Sequence, residues 1–349
     1  MKRRKFLQLA GGASLAWPSF ALAQRGAGPP LVAVLSPLAE DTATERSVAL
    51  RAGLKQAGLV EGTDYALALR FANGEWSRLP ELAKELAALK PRVFLVAATL
   101  SGLNAVRKEA PDTPVVVTGL AADPIAVGLA ESYARPGGMI TGNTMNAVGG
   151  EEALTTKRIG FFKELVPNLV RLGMIGLADS VNPVAAANLA LPERNALRKA
   201  SEHFGFEFLN YEIRTLDDLD GAVSAGLRDG VSAFYISGDP RMNANIPRVV
   251  ASLAKSEKPT CGVYPFWAQR GLLMAYSNDL HDMLRRAGFQ VAKIIQGAKP
   301  GELPFEQAVK YTLVIISMHG ALTIFTKPPG GVCSPDSGPE LRNCPVHAR

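Results

Sequence analysis

The chain has 349 residues, 47% of them hydrophobic, which makes it longer than one ordinary domain and apolar enough for one or two substantial cores. Its formal net charge of +6 comes largely from Lys2, Arg3, Arg4 and Lys5; of 38 lysines and arginines, 34 remain beyond these four against 32 acids, a net of +2. With that balance, and with no basic run interleaved with aromatics, the sequence carries no footprint of a nucleic-acid or anionic-membrane partner.

The four cations precede an apolar run from Phe6 to Leu22, and Ala21-Leu22-Ala23 before Gln24 is a small-x-small cleavage signal. Residues 1–23 therefore read as an export signal cleaved after Ala23, with the remainder periplasmic. The run is broken by Gly11, Gly12 and Pro18 and is short for the alternative, a single-pass anchor. Arg3-Arg4-Lys5-Phe6-Leu7 resembles the twin-arginine signal that exports folded chains. Of the three cysteines, Cys333 and Cys344 are candidates to pair in an oxidising compartment, leaving Cys261 as a buried thiol beside a strand.

After Pro29-Pro30, the run Leu31 to Leu35 predicts a buried strand ending at Ser36-Pro37, followed by a helix from Thr44 to Ala57 that Gly58 terminates. Tyr65 to Phe71 alternates as a strand, Leu79 to Leu89 is a helix between Pro80 and Pro91, and Val93 to Ala98 is a third strand. A helix over Leu103 to Glu109 leads to the strand Val115 to Thr118 and the turn Gly119 to Pro124. A short helix, Ile125 to Ala134, the breaker Arg135-Pro136-Gly137-Gly138 and a β segment Met139 to Thr144 complete this part. The β-α alternation argues for a parallel, doubly wound sheet with right-handed crossovers.

The pattern then restarts. Helices are expected over Glu151 to Leu165, Leu191 to Phe204, Leu216 to Leu227 and Pro247 to Ala254. Strands are expected over Leu172 to Leu177, Glu207 to Ile213, Ala233 to Ile236, Thr260 to Tyr264 and Leu272 to Tyr276. A helix, Leu280 to Gln296, and a strand, Tyr311 to Ile316, return to the first unit and cross once more. The economical reading is two similar α/β lobes: residues 29–143 with 277–310, and residues 144–276 with 311–316. Ser317 to Arg349 shows no period and reads as an atypical tail.

No enzyme signature stands. The chain has no G-x-S-x-G elbow, no phosphate-binding G-x-x-x-x-G-K-[ST] loop, no H-E-x-x-H and no G-x-G-x-x-G after a strand, so no catalytic residue, metal or cofactor is expected. What recurs is small and polar residues just past strand ends: Ser36, Thr99 with Ser101, Gly119 to Ala122 (Ala121 the candidate contact), Asp179 with Asn182, and Ser237 with Asp239. In two facing lobes these loops converge on one cleft, where helix N-termini favour a ligand carboxylate. Taken singly, Ser101, Asp123 and Asp239 read as caps of their own helices; taken as a set on both lobes, they favour the ligand reading. Tyr264, Phe266 and Trp267 add aromatic surface for a ring or an apolar ligand, with lobe core as the alternative.

Three segments, VTGLAADPIAVGLAESYARPGGMITGNTM (117–145), GLLMAYSNDLHDMLRRAG (271–288) and KIIQGAKPGELPFEQAVKYTLVI (293–315), resemble the extracytoplasmic substrate-binding proteins of ABC importers. The family resembled is the one that includes tryptophan- and tyrosine-binding members, over about Leu31 to Ile315. The resemblance implies a type I periplasmic-binding-protein fold, two Rossmann-like lobes joined by three hinge strands, closing on a small-molecule solute. It implies a membrane permease and its ATPase as partners, a monomer, and no catalysis; the alternatives are a sensory subunit and, after it, an enzyme on the same scaffold. Thr99 and Ser101 sit at the family's carboxylate-binding strand end, and Asp279 matches an acidic position near the hinge that could meet an ammonium group. Two departures, Leu284 for an aromatic and Phe266-Trp267-Ala268 for a common Arg-Glu-Phe run, leave the substrate class open. The tail departs too: relatives continue with an amphipathic helix, and the expectation here is that a frameshift or truncation replaced it.

Overall fold

Near-continuous apolar strands are buried on both faces, and their successive side chains must divide between two layers of helix. The computed structural model, which describes residues 28–38, 40–97, 99–145, 150–178, 190–316, 322–326 and 346–348, shows this division directly. The export signal, Asp179, Asn182, Cys333 and Cys344 lie outside the described residues.

The first lobe is a six-stranded sheet of β1 (Leu31–Ser36), β2 (Ala66–Phe71), β3 (Val93–Ala97), β4 (Val115–Leu120), β5 (Ile140–Thr144) and β11 (Glu306–Gln307), in the order β11-β5-β4-β3-β1-β2. All its pairings are parallel. Leu35, Phe94, Val96 and Val117 pack on α2 (Leu79–Ala88) and α3 (Leu100–Glu109). Their neighbours Val34, Leu95 and Val116 pack on the other side against α1 (Glu40–Gln56) and a helix from much later in the chain, Leu280–Ile295. That late helix meets α1 through glycine. A Cβ on Gly53 would lie 1.9 Å from the Arg285 carbonyl oxygen, and one on Gly288 would lie 2.4 Å from that of Leu50. Only bare backbone permits this approach.

The second lobe is an eight-stranded sheet in the order β14-β13-β12-β10-β9-β8-β6-β7. Its parallel part comprises β6 (Arg171–Leu177), β7 (Glu207–Ile213), β8 (Ala233–Ile236), β9 (Thr260–Gly262) and β10 (Met274–Asn278). Helices α4 (Gly150–Leu165) and α5 (Ala190–Phe204) pack together, as do α6 (Leu219–Arg228) and α8 (Ile246–Ala254). Between β8 and α8 lies the short α7 (Pro240–Asn243), and α9 (Pro265–Gln269) precedes β10; the late helix Leu280–Ile295 is α10. Strand β12 (Tyr311–Ile316) adds antiparallel to β10, followed by β13 (Leu322–Thr326) and β14 (Val346–Ala348).

The chain passes between lobes after β5, between β10 and α10, and between β11 and β12. Hydrogen bonds tie the three passages together: Asn278 Nδ2 donates to the Met145 carbonyl at 2.7 Å, the Asp279 amide to Lys310 at 2.9 Å, and the Ala308 amide to Thr144 at 3.2 Å. An ion pair between Lys310 and Asp279, 2.9 Å long, adds a fourth tie.

Several elements differ from the sequence expectation. Residues 125–134 form no helix. The Val127 amide completes one turn to the Asp123 carbonyl, and then Gly128, at φ +69°, reverses the chain so that Leu129 and Ala130 bond back to Pro124. Helix α3 starts at Leu100, three residues early, because Thr99 caps it. The stretch after β9, read as strand and loop, turns into α9, and Leu216–Asp218 is a 3-10 turn leading into α6. The tail, read as aperiodic, contributes β13 and β14.

Candidate ligand-binding site

The carboxyl ends of both parallel sheets face one another, and the rims touch. The guanidinium carbon of Arg46, on α1, lies 5.1 Å from the centre of the Phe266 ring on α9. On another flank Gly74 meets Ala244, so closely that a Cβ on the glycine would sit 3.0 Å from the alanine methyl.

On the first-lobe wall, Ser36 ends β1 and its Oγ accepts the Leu38 amide at 3.3 Å. Thr99 accepts the Gly102 amide at 3.3 Å, so it is the cap of α3; Ser101 sits half-buried in the next turn. The turn Gly119 to Ala121 is held by a residue the sequence did not single out. Asn143 Oδ1 accepts the Gly119 amide at 2.9 Å and the Thr118 hydroxyl at 3.2 Å, while its Nδ2 donates to the Met283 carbonyl at 2.8 Å. This one amide fixes β4, β5 and α10 in register at the cleft edge. Its neighbour Gly142, at φ +144°, brings the backbone against Val117, where a Cβ would lie 1.9 Å from the carbonyl oxygen.

On the second-lobe wall, Ser237 is buried and donates to Glu193 Oε2 at 2.8 Å, and the Gly238 amide donates to the same carboxyl at 3.1 Å. Asp239 is buried and bound by Arg241, with an ion pair of 3.3 Å. Asn243 Nδ2 donates to Gly238 at 2.9 Å and its Oδ1 accepts the Trp267 indole N–H at 2.9 Å. Trp267 is thus wholly within the lobe core with its one donor spent; five residues of helix put it and Phe266 on different sides. Tyr264 stacks on Phe266 with ring centres 5.2 Å apart; Phe266 faces Arg46 of the other lobe, and Tyr264 is buried behind it. Asp279 caps α10 through the Asp282 amide at 2.9 Å with one oxygen and holds Lys310 with the other, so both oxygens are engaged.

Beneath the second-lobe wall lies a charge cluster that the strand-end pattern does not reveal. Arg158, on α4, is fully buried and donates to the Tyr276 carbonyl at 2.7 Å, to the Tyr235 hydroxyl at 2.8 Å and to Glu151 at 3.2 Å. Burial works against its charge, but Tyr235, Glu151 and Glu193 outweigh burial and hold its pKa above the ordinary value. Glu193 is fully buried too; desolvation first, then Glu151, push its carboxyl up to about 8, against the opposing pull of Arg158, Ser237 and Gly238. Burial pushes the Cys261 thiol up to about 12. A legible sign of the cluster was present: Arg158 falls on the apolar stripe of Leu154, Ile159 and Phe162.

A cavity of about 50 Å3 opens under the first-lobe rim, between the sheet and the α1–α10 pair, with Ser36, Arg46, Thr118 and Gly119 among its lining. Among the described residues there is no cluster of histidine, cysteine and acid side chains able to hold a metal. Nor, among them, is any helix long and apolar enough to cross a membrane.

Residues 31–322 match the family described as ABC transporter substrate binding protein. The chain belongs to that family. It is similar to a tyrosine-binding protein of Clostridioides difficile strain R20291, 20% identical over 252 residues that span 72% of this chain and 68% of that one. Among solved structures it is similar to an ABC domain in complex with L-Trp from Streptococcus pneumonia, with a TM-score of 0.66, 20% identity and coverage of 81% of this chain and 91% of that one. It is also similar to a conserved domain protein of Vibrio cholerae, with a TM-score of 0.70, 21% identity and coverage of 82% and 91%. The fold is that of the type I periplasmic binding proteins, as the resemblance implied. Members of the family bind small-molecule solutes outside the cytoplasm and work with a permease.

Proposed function

We propose that this protein is the solute-binding component of an ABC importer. It is exported, cleaved after Ala23 and monomeric, and it captures a small amino-acid-like or aromatic carboxylate between its lobes for delivery, unaltered, to the permease and its ATPase. The observation that carries this reading is the meeting of the two rims over strand-end loops, with Arg46 of one lobe stacked on Phe266 of the other. A ligand that touches both walls adds its binding energy to the shut state alone, and closure follows from that difference in affinity. The names of the tyrosine-binding relative and of the L-Trp complex favour an amino-acid-sized ligand with an aromatic group. Of the residues expected at the site, Ser36, Ser101, Ala121, Ser237 and Tyr264 are the proposed cleft contacts. Thr99 and Asp239 act as caps and braces behind them. A thermal-shift screen of the purified protein against amino acids and aromatic acids tests the proposal. A saturable rise in Tm with one chemical class supports it, and a flat response across the whole panel removes it.

A further inference from the structure

The cavity under the first-lobe rim is shaped as a slot with one kind of floor and another kind of mouth. Val34, Leu69 and Leu95 of the sheet form one side, and Leu50 of α1 with Leu284 of α10 form the other. At the mouth stands Arg46, whose guanidinium already rests on Phe266 of the opposite lobe. We propose that this slot receives the apolar body of the solute while Arg46 pairs with its acid group, so that the solutes taken are small carboxylates bearing a branched-alkyl or phenyl tail and the recognised charge is the anion. The inference rests on the function proposed above and narrows its ligand class.

Three observations carry it. The volume of about 50 Å3 has room for roughly three to five waters at about 10–15 Å3 each, the bulk of an isobutyl or phenyl group. Water there faces aliphatic carbon and makes few hydrogen bonds, so an apolar group displaces it favourably. Charge points the same way: an anion beneath Arg46 is held by a cation that also touches the second lobe, which links anion binding to closure. The one acid expected to receive an ammonium group, Asp279, is already engaged with Lys310.

The test is calorimetric titration at fixed ionic strength with 3-phenylpropanoate, 4-methylpentanoate, L-phenylalanine, L-leucine and the uncharged 3-phenylpropan-1-ol. The des-amino acids are expected to bind at least as tightly as the amino acids, and the alcohol at least tenfold more weakly. Ala97→Leu, which places a larger group in the slot lining, should weaken 3-phenylpropanoate at least tenfold, as should Arg46→Gln, with partial recovery in Arg46→Lys. Leu284→Phe, filling the slot from the helix side, gives a second reading if Ala97→Leu does not fold. Should an acid or amino acid bind the slot-filled and Arg46→Gln proteins within twofold of wild type, the slot inference is overturned and solute capture in the cleft still stands. Amino acids binding tenfold tighter than their des-amino analogues would overturn it as well. If none of the five probes binds while the thermal-shift screen finds another solute, the slot assignment alone fails; if that screen is also flat, both readings fail.

Discussion

The buried Glu193 makes the second lobe sensitive to pH in a direction opposite to an ordinary surface acid. In the folded protein its carboxyl is pushed from the ordinary 4.5 to about 8, mainly by desolvation. The unfolded chain therefore sheds this proton near pH 4.5, while the folded chain keeps it to about pH 8. The contribution to stability is fully present below about pH 4.5, declines as pH rises, and is lost above about pH 8. At 1.36 kcal/mol per unit the whole decline is on the order of 5 kcal/mol. Glu193→Gln keeps the shape and an oxygen for the Ser237 and Gly238 donors but has no proton to lose, so it removes the slope. Urea unfolding followed by tryptophan fluorescence, with Trp267 buried in the same lobe, should give nearly equal stabilities near pH 5. The variant should be the more stable by a few kcal/mol near pH 8.5. Taking the difference between the two proteins cancels carboxylates that titrate alike in both. Parallel profiles from pH 5 to 8.5 would mean that Glu193 folds in already ionised, against the protonated state its burial requires.

Two further substitutions probe how the site is positioned. Gly53→Ala puts a methyl where the Arg285 carbonyl stands 1.9 Å away, so α1 and α10 must part; a loss of about 1–3 kcal/mol in chemical denaturation is expected, and a neutral result would contradict the close approach. Asn143→Leu leaves the Gly119 amide, the Thr118 hydroxyl and the Met283 carbonyl without their shared partner, with an expected loss of about 2–4 kcal/mol. Hydrogen exchange at Gly119 and Leu120 should quicken in that variant, and unchanged protection there would show that the turn does not depend on Asn143.

The sheets were legible because parallel strands announce themselves. Val93 to Val96 and Val115 to Val117 are unbroken apolar runs, and burial on both faces leaves them no other state. Element ends were less so. Thr99 reads as a strand-end residue until its hydroxyl is seen to accept the Gly102 amide, and Gly128 stops a helix only because its positive φ turns the chain back. Strands β13 and β14 carry no period of their own and exist by pairing to β12. At the site, the sequence singles out strand-end loops, and the structure adds which of their side chains are spent on internal partners. Trp267 reads as aromatic cleft surface or as lobe core, and the short α9 turns it inward to Asn243 and leaves Phe266 facing Arg46. Arg46, Asn143 and Glu193 were passed over because each acts on a partner far along the chain, 220 residues away for Arg46 and Phe266, and no local pattern encodes that distance.

Whether the two lobes shut around a solute is read by small-angle scattering of the purified protein. Without ligand the radius of gyration should exceed that of the rim-to-rim form described here, and a saturating solute from the thermal-shift screen should bring it down to that form. An identical radius with and without a solute that demonstrably binds would contradict the account.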